Sequence, residues 1–285
     1  MSSWSEQKTQ NRTLQILDAA TKGNYGVLGV VIYNIEQLTA VVRAAEAKRS
    51  PILILLFPST VKQLPTLAWA VAAAVKTSSV PISLHLDHAQ DEDQIREIAG
   101  TLPFDSIMVD MSHHDHQDNL AKTKVLTRVC HDHGIAVEAE SGRINGGEDG
   151  IADTGDLEGN PEEVEDFINA EIDLLAPSIG NIHGDYGPKG PQLDYERLAN
   201  VNKQIDKRVL MALHGTNDFS PEVMKRCIEN GAIKLNVNKL LLEPWTKHLK
   251  ENVNKPFTQL LEDGIVILQK ETERWIDICG SGGKA

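Results

Sequence analysis

The stretch Ser83-Leu84-His85-Leu86-Asp87-His88 ends an apolar run with a carboxyl group directly beside an imidazole. Two further histidines, in Ile182-His183-Gly184 and Leu213-His214-Gly215, also sit where apolar sequence gives way, here to glycine. Each alone is more readily a hydrogen-bonded histidine than a ligand. Together, three neutral imidazoles make a common catalytic zinc set with an open position for substrate. The neighbouring Asp87 has the chemistry of a proton donor or acceptor.

Such groups need elements that bring them to one place. Eight apolar, β-type runs are separated by longer amphipathic segments: Val27–Ile32, Ile52–Leu56, Ile82–Leu86, Ser106–Val109, Ala136–Glu140, Leu174–Pro177, Val209–Leu213 and Ile233–Val237. Eight strands alternating with helices define an α/β fold, a (β/α)8 TIM barrel, here one domain over residues 1–285 with 1–12 expected to be flexible. Asn34–Ala47 carries Leu38, Val41, Val42 and Ala45 at helical spacing. Asn160-Pro161-Glu162 and Ser220-Pro221-Glu222 read as helix starts, and Gly231 suits a helix end. Active sites of this fold lie at the C-terminal ends of the strands. There the sequence places Asp87 and His88, Asp110, Glu140, His183, His214 and Asn236, seven polar groups at or just after the ends of six runs.

Other residues have plainer explanations. Alternation puts His85 inward, one pleat below Asp87, as a core or supporting group. The cluster Ser112-His113-His114-Asp115-His116 reads as a solvated loop, and His131 and His133 as cations at a helix end. Glu138 and Glu140 share one strand face, either solvated at the strand end or answered by a cation, because burying two acids unpaired is costly. Lys234 shares a face with Asn236 and keeps a lysine nucleophile open as a rival chemistry. Two long loops, Gly142–Gly159 and Gly184–Gln192, break the rhythm, and long loops in compact domains are often functional.

Composition narrows the class. The 285 residues carry 28 Lys plus Arg against 41 Asp plus Glu, a formal charge of −13, which argues against nucleic acid or a membrane surface as partner. Cys130, Cys227 and Cys279 are far apart, odd in number and form no CxxC pair, as expected of reduced thiols in a cytoplasmic protein. No apolar run is long enough to span a bilayer.

The motifs together resemble the class II, metal-dependent aldolases, the group of fructose-bisphosphate and tagatose-bisphosphate aldolases. The resemblance rests on Leu84–His88, Val137–Arg143, Gly146–Gly150, Ile179–Gly184, Leu213–Gly215, Lys234–Asn238 and the ending Gly280–Ala285, and covers nearly the whole chain. It implies reversible aldol cleavage of fructose 1,6-bisphosphate to dihydroxyacetone phosphate and glyceraldehyde 3-phosphate, with tagatose 1,6-bisphosphate or another phosphorylated ketose as alternative. It further implies Zn2+ on His88, His183 and His214, with Asp110 and Glu140 at an alternative or second metal position. Asp87 then exchanges a proton with the C4 oxygen, and Glu148 is the loop base acting on the carbon next to the ketose carbonyl. Gly184, Gly215 and Asn236 are implied around the substrate, with a monovalent cation (Na+ or K+) near the phosphate, and Asn238 and Lys239 are expected beside them. A homodimer or higher homo-oligomer is implied as well.

The chain departs from the family at several positions, all but one of them, Ser141, where substrate is held. His214-Gly215-Thr216-Asn217-Asp218 replaces His-Gly-Gly-Ser-Gly, Lys239 stands where a small hydroxyl residue is usual, and Val31, Phe57 and Ser141 replace an asparagine, a serine and a leucine. Lys239 is expected to supply a point charge where amide donors are lost. Two rivals remain: a metal-dependent hydrolase, disfavoured because the first strand lacks a His-x-His pair, and a catalytically silent barrel.

Overall fold

A computed structural model describes residues 3–149, 151–153, 157–158 and 161–285. Eight parallel strands close on themselves: β1 (Val27–Val31), β2 (Ile52–Leu56), β3 (Ile82–Ala89), β4 (Ser106–Val109), β5 (Ala136–Arg143), β6 (Leu174–Pro177), β7 (Leu210–Leu213) and β8 (Lys234–Val237). Each pairs with its sequence neighbours, and β8 returns to β1 through Val27↔Lys234 and Gly29↔Asn236. Helices connect the strands, so the molecule is the (β/α)8 barrel that the alternation predicts.

Local chemistry sets the helix boundaries. Asn34 caps Ile35–Lys48 by accepting from the Gln37 amide, and Ser220 caps Pro221–Glu229 by accepting from Val223. Asn160, expected as a cap for Pro161–Asn169, lies outside the described residues. The helix Arg12–Gly23 closes the N-terminal end of the barrel. Its Leu14, Ile16, Leu17 and Ala20 pack with Val27, Ala136, Leu174, Leu210 and Ile233. Its Thr13 hydroxyl reaches Ser83 and Ser106 inside the barrel at 3.2 and 2.9 Å. Within the segment expected to be flexible, Trp4–Gln7 forms a short helix, and Trp4 stacks on His131 with centroids 4.1 Å apart.

A larger apolar layer lies between barrel and helices and takes Leu84 and Leu86, Val137 and Ala139, and Leu235 and Val237. The alternate residues of the same strands face inward: Ser83, His85 and Asp87; Glu138 and Glu140; Lys234 and Asn236. All are buried. The upper barrel interior is therefore polar, while its floor is apolar.

The sequence suggests an unbroken loop over 142–159, but the chain keeps more order there. β5 runs on to Arg143, Leu157–Glu158 pairs antiparallel with its end, and Asn145–Glu148 pairs with Ile151–Asp153 as a hairpin. That hairpin pairs in parallel with Ile182–His183. Among the described residues no helix is long and apolar enough to cross a membrane. All three cysteines are free and buried, and burial pushes each thiol up to about 12.

Candidate active site at the barrel mouth

Consecutive strand residues normally point to opposite faces, so Asp87 and His88 should not both reach the mouth. A register shift between Leu86 and Ala89 resolves this, with His88 in the left-handed region at φ 52°. The bulge turns His88 back over the barrel beside Asp87. His214 follows β7 directly. His183 comes later, on the two-residue strand that carries the hairpin.

The three histidines meet with mutual distances between candidate ligand atoms within 4.8 Å, all buried. Second partners orient two of them. His88 Nδ1 lies 2.9 Å from Asp110 Oδ2, and His214 Nε2 lies 2.6 Å from Glu138 Oε1. A carboxylate only accepts, so each of these nitrogens carries the proton. The nitrogens left over, His88 Nε2 and His214 Nδ1, face each other at 3.0 Å, close enough to share a proton on the charged His88 ring. His183 Nε2 is buried without a hydrogen-bond partner among the described residues. Two facing nitrogens that hold a positive charge between them and an orphaned third nitrogen within ligand spacing mark a place for a cation, so these residues fit a metal ion with three imidazole ligands.

Electrostatics agree. Burial alone would lower His88, but Asp87, Asp110 and Glu140 outweigh it and hold it at about 10. Burial and the two neighbouring histidines hold His183 well below its usual value, and burial also lowers His214 against the pull of Glu138. The surroundings thus demand positive charge at the centre and leave two imidazoles neutral.

Asp87 is buried and bonded through both oxygens to Asn236 Nδ2, each at 2.9 Å. Burial would raise its pKa, but His88, Lys234, His85 and His214 overcome that and hold the carboxyl well below the usual range. Beneath it Lys234 donates to Asn236 Oδ1 at 2.7 Å and pairs with Glu138 Oε2 at 2.8 Å. Lys234 is therefore the buried counter-ion of Glu138. His85 takes its supporting place, with Nδ1 2.7 Å from Ser106 Oγ and Nε2 3.4 Å from Asp87. Glu138 is not solvated at a strand end, and neither is Glu140, which accepts from the Ile144 amide at 2.6 Å. His88, Asp110 and Glu140 form a second cluster with metal-ligand spacing.

Some of the remaining expected residues line the same mouth and others do not. Val31, Phe57, Gly215, Thr216, Asn217, Asn236 and Asn238 line the pocket with Asp87 and the three histidines. Gly215 has φ 67°, and a Cβ there would meet the Ile182 carbonyl oxygen at 2.4 Å. Gly184, at φ 97°, faces open space. Asn238 accepts from the Tyr33 hydroxyl at 3.2 Å, and Lys239 pairs with Asp185 at the surface. Glu148 belongs to the hairpin strand Asn145–Glu148, but its side chain lies outside the described residues. Asp110 and Glu138 as orienting partners of two histidines were not read from sequence, because each pair is joined only by the fold.

A parallel barrel whose mouth holds three converging imidazoles and an ionised carboxylate is an architecture of metal-dependent enzymes. The chain belongs to the class-II fructose-bisphosphate aldolase family, whose model it matches over residues 11–284. It is similar to a Coccidioides immitis protein named "Putative fructose-bisphosphate aldolase", at 45% identity over 96% of this chain and 95% of that one. A fructose-bisphosphate aldolase of Streptococcus pyogenes serotype M3 is 32% identical over 95% of this chain and 98% of its own. A crystal structure of a "putative fructose-1,6-biphosphate aldolase" from Coccidioides immitis matches with a TM-score of 0.94 at 43% identity, covering 97% and 98% of the two chains. The YdjI aldolase of Escherichia coli K12 matches with a TM-score of 0.81 at 27% identity, covering 95% and 97%.

Proposed function

We propose that the protein is a zinc-dependent aldolase that reversibly cleaves fructose 1,6-bisphosphate to dihydroxyacetone phosphate and glyceraldehyde 3-phosphate. The observation that carries this is the convergence of His88 Nε2 and His214 Nδ1 to 3.0 Å, with His183 Nε2 lacking a partner among the described residues beside them and ionised Asp87 adjacent. His88, His183 and His214 would hold the zinc, with Asp110 and Glu140 as an alternative or second position. Zinc bound there would polarise the ketose carbonyl as a Lewis acid.

The chain's own residues supply the proton transfers. Ionised Asp87 takes the proton of the C4 hydroxyl as the C3–C4 bond breaks and C4 becomes the aldehyde carbonyl. The electron pair stays on C3, conjugated with the C2 carbonyl. Glu148 returns a proton to C3, completing dihydroxyacetone phosphate, and removes it again in the direction of synthesis. Asn236, held between Lys234 and Asp87, keeps the Asp87 carboxylate oriented. Gly184, Gly215, Asn236, Asn238 and Lys239 would surround the phosphorylated substrate, with a monovalent cation near the phosphate. Lys239 is paired with Asp185, which a phosphate would have to displace, so Lys239→Ala is expected to raise KM and leave kcat nearly unchanged. A homodimer or higher homo-oligomer in the cytoplasm completes this reading, supported by family membership.

The decisive experiment measures cleavage of fructose and tagatose bisphosphates with and without chelator. Cleavage should prefer the fructose ester, vanish on complete chelation and return with zinc. Full cleavage after chelation would sink the metal mechanism, and preference for tagatose bisphosphate would sink the substrate assignment.

A further inference from the structure

Ser59 plays no part in the chemistry above, yet it makes two contacts with the segment that carries Glu148. It is the second residue of the short helix Pro58–Gln63, which follows β2. Its amide donates to Asp149 Oδ2 at 3.0 Å, and its hydroxyl donates to Asp149 Oδ1. Both oxygens of one carboxylate are thus held by a residue 90 positions away. Hydrogen bonds to a charged acceptor are roughly twice as strong as neutral ones.

Asp149 directly follows Glu148, between the two hairpin strands, and its φ of 51° is left-handed. Aspartate tolerates that region better than most residues, though still at a cost that contacts elsewhere must offset. The hairpin's other end is fixed too. Asn145 and Gly146 pair with Ile182 and His183, and Gly146, at φ 111°, sits so close that a Cβ would fall 1.9 Å from the His183 carbonyl oxygen. The hairpin is therefore tied at its base to the strand that presents His183. At its tip it is tied to the β2 side of the mouth, two residues beyond the pocket-lining Phe57. Glu148 lies between these two ties.

We infer that Ser59 and Asp149 are positioning residues: a latch that fixes the hairpin across the barrel mouth and so sets the place of Glu148 relative to the substrate carbon. This rests on the proposed proton-transfer role of Glu148. A reacting group displaced by about 1 Å costs on the order of 100-fold in rate, so a latch on the adjacent residue governs the proton step without touching substrate.

The test uses the zinc-loaded full-length protein and reads three quantities: cleavage kinetics, exchange of the carbon-bound proton of dihydroxyacetone phosphate with solvent, and amide hydrogen exchange over residues 145–153. Ser59→Ala should slow cleavage kcat and proton exchange by about tenfold, the scale of a lost bond to a carboxylate, with KM within about twofold and zinc content unchanged. Amide exchange over the hairpin should rise. Asp149→Asn should do the same, the double variant should be no worse than the more impaired single one, and Ser59→Thr should recover the wild-type rates. Unchanged hairpin amide exchange in Ser59→Ala, or additive losses in the double variant, would overturn the latch. Glu148→Gln separates the two claims. If it abolishes proton exchange while Ser59→Ala leaves that exchange intact, the latch is wrong and the assignment of Glu148 stands. If Glu148→Gln leaves proton exchange intact, the assignment falls and takes the positioning role with it.

Discussion

His88 and His214 are ligand candidates because of what stands behind them. Asp110 and Glu138 each accept a hydrogen bond from one ring nitrogen and so aim the other nitrogen at the centre of the mouth. Partners of this kind typically change metal affinity by about 10–100-fold. Asp110→Asn keeps the shape and removes the charge, and should weaken zinc binding by roughly that factor with little change in thermal stability. Competition against a chromophoric chelator measures it, and wild-type affinity in the variant would show that the ring orientation is set elsewhere. The sequence displays the three histidines, since each follows an apolar run. It does not display their partners, which lie 22 and 76 positions away and meet them only through the closed barrel. Lys234 shows the same limit. Spacing shows that it faces inward with Asn236, but only the position of Glu138 across the barrel tells a counter-ion from a nucleophile.

At the scale of elements, the eight strands were legible because each is a short apolar run bounded by polar or turn residues. Strand alternation, followed strictly, would have sent His88 into the helix layer. The bulge after Leu86 was not legible, because histidine, though enriched in left-handed backbone relative to most residues, adopts it too seldom to mark the position. The hairpin was hidden for the opposite reason: Asn145-Gly146-Gly147-Glu148 has no apolar pattern, and its order comes from pairing with Ile182–His183. Gly146 makes that pairing possible, so Gly146→Ala should push the hairpin off the His183 strand. The expected outcome is a loss of cleavage and weaker zinc binding, with a melting temperature lowered by only a few degrees, because the hairpin lies outside the barrel core. A large fall in melting temperature together with full zinc affinity would contradict this division of labour.

The whole molecule separates support from chemistry along the barrel axis. An apolar floor closed by Arg12–Gly23 carries a polar upper interior in which Glu138, Lys234, His85 and Asp87 answer one another. That layer makes stability depend on pH in a definite direction. Burial alone would raise Glu138, but Lys234, His214 and His85 outweigh it and bring it down to about 2. In the unfolded chain a glutamate titrates near about 4.3. The unfolded chain therefore binds the proton first, and the stability from this group is complete above about pH 5 and lost as pH falls towards about 2. Removing only one partner would strand a buried charge at a cost of roughly 3–5 kcal/mol, so the informative variant is the double replacement Glu138→Gln with Lys234→Met. Urea unfolding of the metal-free protein at a series of pH values should show the double variant losing about 2–3 kcal/mol less than wild type between about pH 5 and 2. At neutral pH the two should differ far less than either single variant differs from wild type. Parallel acid limbs would mean that Glu138 contributes nothing to acid unfolding, and that the polar layer serves the mouth of the barrel alone.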